Sequence, residues 1–178
     1  FVYSIKMAAS GCLRDMAVQN LEVSGKADLS GVSLTHKVPI KTITADTTLL
    51  ASESGSIVYI TDLDAAITLP TAEAGLNFTF VMGGLMAGGT VTTGTGDCFF
   101  GNVTLVSTTD DKLSSDEIVV AGGTVGDSDV ATLDGDAATS GGNAGDILTC
   151  IAVDVTHWLL SGTLTTTHAA PTSINILG

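Results

Sequence analysis

From residue 42 onward the chain is a succession of short, alternating apolar runs cut by turn residues, with almost no helical signal. The stretches KTITADTTLL, SIVYIT, AAITL, LNFTFVM, GTVTT, CFFGNVTLV, EIVVA, DVATL, DILTCIAV and HWLLSGTLTT each read as strand. Turn residues return about every 8–12 positions, the spacing of a sandwich or barrel. In LNFTFVM, Phe78, Phe80 and Met82 point to one face and Asn77 and Thr79 to the other, because successive strand side chains alternate. SIVYIT is apolar on both faces and reads as a central strand. The one helical candidate, PTAEAG, is bracketed by Pro70 and Gly75 and holds a single turn at most. The expected fold is all-β: an antiparallel, jelly-roll-like β-sandwich over residues 42–178, preceded by an extended arm and short stem over residues 1–41.

Composition agrees with a packed β domain. Of 178 residues, 44% are hydrophobic and only 14% charged, so the chain can bury a core and lacks the makeup of a disordered one. The Gly-rich stretches MGGLMAGGTVTTGTG and LDGDAATSGGNAGD are expected to be loops. Neither matches a phosphate-binding loop or a dinucleotide fingerprint.

Charge divides the chain in two. Lys6, Arg14, Lys26, Lys37 and Lys41 against Asp15, Glu22 and Asp28 give residues 1–41 a net +2, so the remainder carries −15 of the total −13. A body this acidic repels phosphate, which argues against nucleic acid as a partner. No stretch reaches the roughly 18–20 apolar residues that span a bilayer, and no signal-peptide pattern opens the sequence, so a soluble product is expected. Phe1 is not an initiator residue, and Met7 is a candidate start. Cys12 in ASGC lacks the apolar run that precedes a lipoprotein cleavage site.

Motifs that carry chemistry are sparse. Cys12, Cys98 and Cys150 form an odd set without CxxC spacing, so reduced and mostly buried thiols are expected, with Cys150 on the face of Leu148 and Ala152. His36, His157 and His168 lie in different neighbourhoods, without HExxH spacing, and no GxSxG elbow occurs. Gly126-Asp127-Ser128 reads as a turn, and His157 as a strand residue at a sheet edge or interface. No catalytic residue and no cofactor are assigned. Asp127, Asp129, Asp134 and Asp136, with Asp146 nearby, are weak calcium candidates, because calcium takes six to eight oxygens in loose geometry. Their spacing is not that of a helix–loop–helix calcium site. Asn77-Phe78-Thr79 and Asn102-Val103-Thr104 fit the N-glycosylation sequon, which without a secretion signal carries little weight.

The arm contains NLEVSGKADLSGVSL, Asn20–Leu34, whose apolar stubs are only about three residues long and too short to stand alone. This segment resembles the NLTVSGTADLSG type found in the shafts and necks of bacteriophage fibres. The resemblance implies that the stubs pack against their own copies. Three chains about one axis would bring Leu21, Val23, Leu29, Val32 and Leu34 together, with Ser24, Gly25, Ser30 and Gly31 outside.

A second resemblance lies in the body. TADTTLLASESGSIVYITDLDAAITLPTAEAGLNFTFVM and AGDILTCIAVDVTHWLLSG resemble the opening and closing segments of β-sandwich structural proteins of marine and other tailed phages. The likeness covers residues 42–82 and 144–162, about a third of the chain. It implies a non-enzymatic virion component. The expected form is a homotrimeric capsid decoration (cement) protein on the shell exterior, anchored to the major coat protein through residues 1–41. A tail or head fibre that attaches to a host receptor is the alternative, and an esterase or glycan-active domain a remote one. The short stem favours decoration, since its residues fully extended reach only about 50 Å.

Overall fold

The computed structural model describes residues 37–109, 118–120, 129–137 and 140–168. All of them belong to the unit that begins at Lys37. The stem residues Leu21, Val23, Leu29, Val32 and Leu34, together with Cys12 and the Gly126–Ser128 turn, lie outside the described residues.

The strands are β1 (Ile40–Ile43), β2 (Thr47–Thr48), β3 (Ser56–Ile60), β4 (Ala66–Thr68), β5 (Asn77–Met82), β6 (Ala87–Thr92), β7 (Cys98–Ser107), β8 (Ile118–Val120), β9 (Val130–Asp134), β10 (Ile147–Ala152) and β11 (His157–Thr166). Every run read as strand in the sequence contains one, and KTITADTTLL contains two. The helical candidate at Pro70–Gly75 is a bend and turn; a single 3-10 turn forms instead at Ala51–Glu53. β1 crosses the expected boundary at 41/42, so Ile40 and Lys41 belong to the sheet.

Two sheets form, a seven-stranded one in the order β1-β3-β5-β10-β11-β7-β8 and a four-stranded one in the order β2-β4-β6-β9. From β1 to β6 the chain passes alternately between them, like a coil. Its successive turns stack β1, β3 and β5 in parallel in the larger sheet and β2, β4 and β6 in parallel in the smaller. Backbone hydrogen bonds tie one turn to the next, as in Leu49 N–H to Thr68 C=O and Leu69 N–H to Thr92 C=O, both 2.8 Å. The hairpin β10–β11 then fills the gap between β5 and β7, antiparallel to β5 and parallel to β7. The β6–β9 and β7–β8 pairs are antiparallel.

The sheets are therefore mixed, and the expectation of an antiparallel, jelly-roll-like arrangement does not hold. Parallel strands need a crossover of about a dozen residues, usually a helix. Here the crossover is a strand of the opposite sheet, which supplies the length without any helical signal.

The two sheets share one apolar core. Val58, Ile60, Phe78, Phe80, Leu148, Trp158 and Leu160 of the larger sheet meet Ile67, Val91, Ala131 and Leu133 of the smaller. Burying each large side chain is worth about 1.5–3 kcal/mol. Cys150 is buried with Leu148 and Ala152, as its alternation predicts, and burial pushes its thiol pKa up. β3 is an interior strand, but its outward residue Tyr59 is exposed, so only one of its apolar faces is core. Gly88 and Gly89 fall inside β6 rather than in a loop. A register shift marks a bulge there, with Gly88 at a φ of 96°, a conformation that glycine adopts without a Cβ penalty.

Candidate functional site

The described members of the acidic series do not converge. Asp134 accepts a hydrogen bond from the Asp136 backbone N–H at 3.2 Å. Partial burial, and then the hydrogen bond with the Asp136 side chain, hold the Asp134 pKa above the usual carboxylate value. Asp146 is turned inward: its Oδ2 accepts the backbone N–H groups of Asn143 at 2.8 Å and Thr165 at 2.6 Å, and its Oδ1 accepts the Thr165 hydroxyl at 3.0 Å. Desolvation raises its pKa against those bonds. This carboxylate fastens the loop before β10 to β11. Among the described residues no three His, Cys, Asp or Glu side chains are grouped to hold a metal; Asp127 lies outside the described residues.

At the other end of the β10–β11 hairpin, Asp154 Oδ1 accepts the backbone N–H groups of Thr156 and His157, each at 2.8 Å, and the His157 ring Nδ1 lies 2.9 Å away. The Thr156 backbone bond, followed by the His157 ring contact, lowers the Asp154 pKa to about 2. The Thr156 hydroxyl also sits 3.0 Å from His157 Nδ1. Carboxylate and hydroxyl thus meet the same ring nitrogen, so the ring does not stand between them as a proton relay, and the cluster acts as a turn lock. His157 begins β11, as the strand reading expects, and since β11 lies between β10 and β7 the sheet-edge alternative does not hold, which leaves the interface alternative. Its neighbour Trp158 is fully buried.

The terminal strand β1 borders a groove of about 350 Å³ lined by Pro39, Ile40, Lys41, Ser52, Glu53 and Ser56. Lys41 Nζ donates to both oxygens of Glu53 at 2.7 and 2.8 Å, and Glu53 also accepts the Leu50 backbone N–H. These bonds, the lysine's first, lower the Glu53 pKa. Ser56 Oγ is buried beside the groove with no hydrogen-bond partner. On the side toward β3 the Pro39 carbonyl accepts the Ile57 N–H, and the Ile43 carbonyl accepts the N–H of Thr61 just past the strand, both at 2.9 Å. Ile40 and Thr42 therefore turn their backbone N–H and C=O away from it. An edge of this kind can pair with an added extended strand. Sequence patterning missed the groove, although a serine at the core-facing position of SIVYIT, in line with Val58 and Ile60, was its one visible trace.

The outward face of the larger sheet is the other unusual surface. Register aligns Ile57, Thr79, Thr149, Ser161 and Asn102 in one row across β3, β5, β10, β11 and β7. A row on one side holds Tyr59, Val81, Ile147, Thr163 and Thr104; a row on the other holds Asn77, Ile151, Leu159 and Phe100. These five strands contain no Asp, Glu, Lys or Arg. His157 stands at one end of the face, its ring 6.2 Å from that of Phe100 in an edge-on arrangement. No protein-family model matches this chain, and no curated protein matches it.

Proposed function

We propose that this chain is a non-enzymatic structural protein of a virion, a homotrimeric capsid decoration protein held on the outside of the shell by residues 1–41. The observation that carries the reading is the resemblance to tailed-phage structural proteins over residues 42–82 and 144–162. Support comes from where those stretches lie: besides β2 and β4 of the smaller sheet, they supply β3, β5 and β10 and parts of β1 and β11, which are consecutive in the larger sheet. Two stretches remote in sequence thus build one continuous surface, as a shared ancestral framework would. The arm supplies apolar and backbone contacts to the coat protein, because exposed ion pairs contribute only about 0–1 kcal/mol each.

The experiment adds purified protein to particles stripped of it and measures rebinding and the thermal stability of the shell. The truncated comparison starts at Lys37, since a cut at Thr42 would remove Ile40 and Lys41 from β1. Full-length protein is expected to rebind and stabilise the shell, and the truncated protein to fail. Equal rebinding by both removes residues 1–36 as the anchor, and density at the tail rather than over the shell replaces decoration with the fibre reading.

A further inference from the structure

We infer that the uncharged outward face of the seven-stranded sheet is the surface on which this chain receives a second copy of itself. The inference rests on the reading of the protein as a multi-copy assembly and names the contact that the bodies make.

Charge is the first reason. The chain carries −13 at pH 7, so two copies repel one another wherever their acids approach. Every described Asp and Glu except Asp134 lies between strands, on the connections and rims. The face made by β3, β5, β10, β11 and β7 holds none. A second copy meets no like charge there, and the depletion of charge at its centre is the pattern of an interface core.

The second reason is the kind of side chain presented. Tyr59, Ile147 and Ile151 are 38%, 48% and 37% exposed, in a sheet where Val81, Leu159 and Phe100 also point outward. The smaller sheet differs: its outward residues include Ala66, Thr68, Thr90, Thr92, Thr132 and Asp134, with Val130 the one large aliphatic side chain among those of β4, β6 and β9. An acidic chain gains nothing from aromatic and branched aliphatic side chains left facing water; here Tyr59, Val81 and Ile147 form one apolar cluster and Ile151, Leu159 and Phe100 another, on either side of a row of Thr79, Thr149, Ser161 and Asn102, and exposed apolar clusters rimmed by polar residues mark an interaction site.

Area is the third. Five strands at about 4.8 Å spacing span about 24 Å, and lengths of 5 to 10 residues give about 17–33 Å, so the face covers roughly 400–800 Å². A stable interface buries about 800 Å² per partner. Two identical faces pressed together would make a dimer, so in a closed ring of three the face meets a different patch of the next copy. Register sets Ile40, 68% exposed, beside Ile57, so the apolar surface of the face continues onto β1.

The test is the double variant Ile147→Glu/Ile151→Glu, with Thr132→Glu on the smaller sheet as control. Mass is followed by light scattering over a dilution series, and folding by circular dichroism and Trp158 fluorescence. Wild type and control are expected to keep the same assembly mass, and the double variant to dissociate at concentrations at least tenfold higher. A second measurement needs no variant: hydroxyl-radical labelling of Tyr59 in the wild-type protein should fall as concentration rises. A double variant with wild-type mass, a wild type that is monomeric throughout, or Tyr59 labelling independent of concentration overturns the inference. Failure of the virion reading is separate: protein that self-associates through this face but does not rebind particles keeps the interface and loses the capsid role.

Discussion

The indole of Trp158 lies 6.2 Å, centroid to centroid, from the ring of Phe78 at an interplanar angle of 37°. The two residues come from β11 and β5, with β10 between them, and both are fully buried. Their contact spans the seam where the coiled half of the larger sheet meets the hairpin. Indole Nε1 has no hydrogen-bond partner in that position. Trp158→Ala is expected to cost roughly 3–5 kcal/mol. Trp158→Phe is expected to cost less, because it keeps most of the ring and removes the orphaned donor. Urea unfolding followed by circular dichroism measures both, since either variant removes the only tryptophan.

Asp146 gives a prediction with a definite sign in pH. Its folded pKa is raised above the ordinary 3.8, so its contribution to stability is fully present below that value and is lost as pH rises through the folded pKa. Asp146→Asn keeps an oxygen for the two backbone donors and removes the buried charge. Its stability relative to wild type should therefore improve from pH 3 to pH 7, in denaturant melts at each pH. Asp146→Ala leaves the N–H groups of Asn143 and Thr165 without their acceptor, at about 1–3 kcal/mol each if no water replaces it. An alanine variant as stable as the asparagine variant would show that the carboxylate does not fasten the loop.

Asp154 behaves in the opposite sense. Its pKa is lowered to about 2 from 3.8, so its contribution is present above pH 3.8 and is lost as pH falls toward 2. Asp154→Ala should flatten the acid limb of the stability curve between those values and leave the limb above it parallel to wild type. Thermal melts from pH 2 to pH 6 test this. An unchanged acid limb would mean that the turn lock does not contribute.

Gly101 lies in the long β7–β11 ladder with a φ of 130°. A Cβ built there falls 2.1 Å from the Leu160 carbonyl oxygen, so the strands would have to separate. Gly101→Ala is expected to cost at least about 1–3 kcal/mol from backbone strain alone, read as a fall in melting temperature. Gly55, whose φ is 83° with open space where a Cβ would project, should show the strain without the clash when replaced by alanine. Equal losses at the two positions would remove the close approach as a cause.

The sequence by itself determined where most of the strands lie and, for the clearly alternating ones, which side faces the core. Phe78, Phe80, Leu148, Cys150 and Trp158 all follow from period-two alternation, because pleating sends successive side chains to opposite faces whatever the strand is paired with. That same independence is why direction and partner were not legible. Alternation is identical in a parallel and an antiparallel strand, and only the passage of the chain between the two sheets makes β1, β3 and β5 parallel. The acidic series shows the same limit for single side chains. Asp134, Asp136 and Asp146 look equivalent along the chain. Yet Asp146 is drawn inward by the backbone N–H of Thr165, a residue of another strand, while Asp136 remains exposed. The uncharged face was likewise decided only in three dimensions. Its residues are scattered from Ile57 to Thr163, and strand register alone places them side by side.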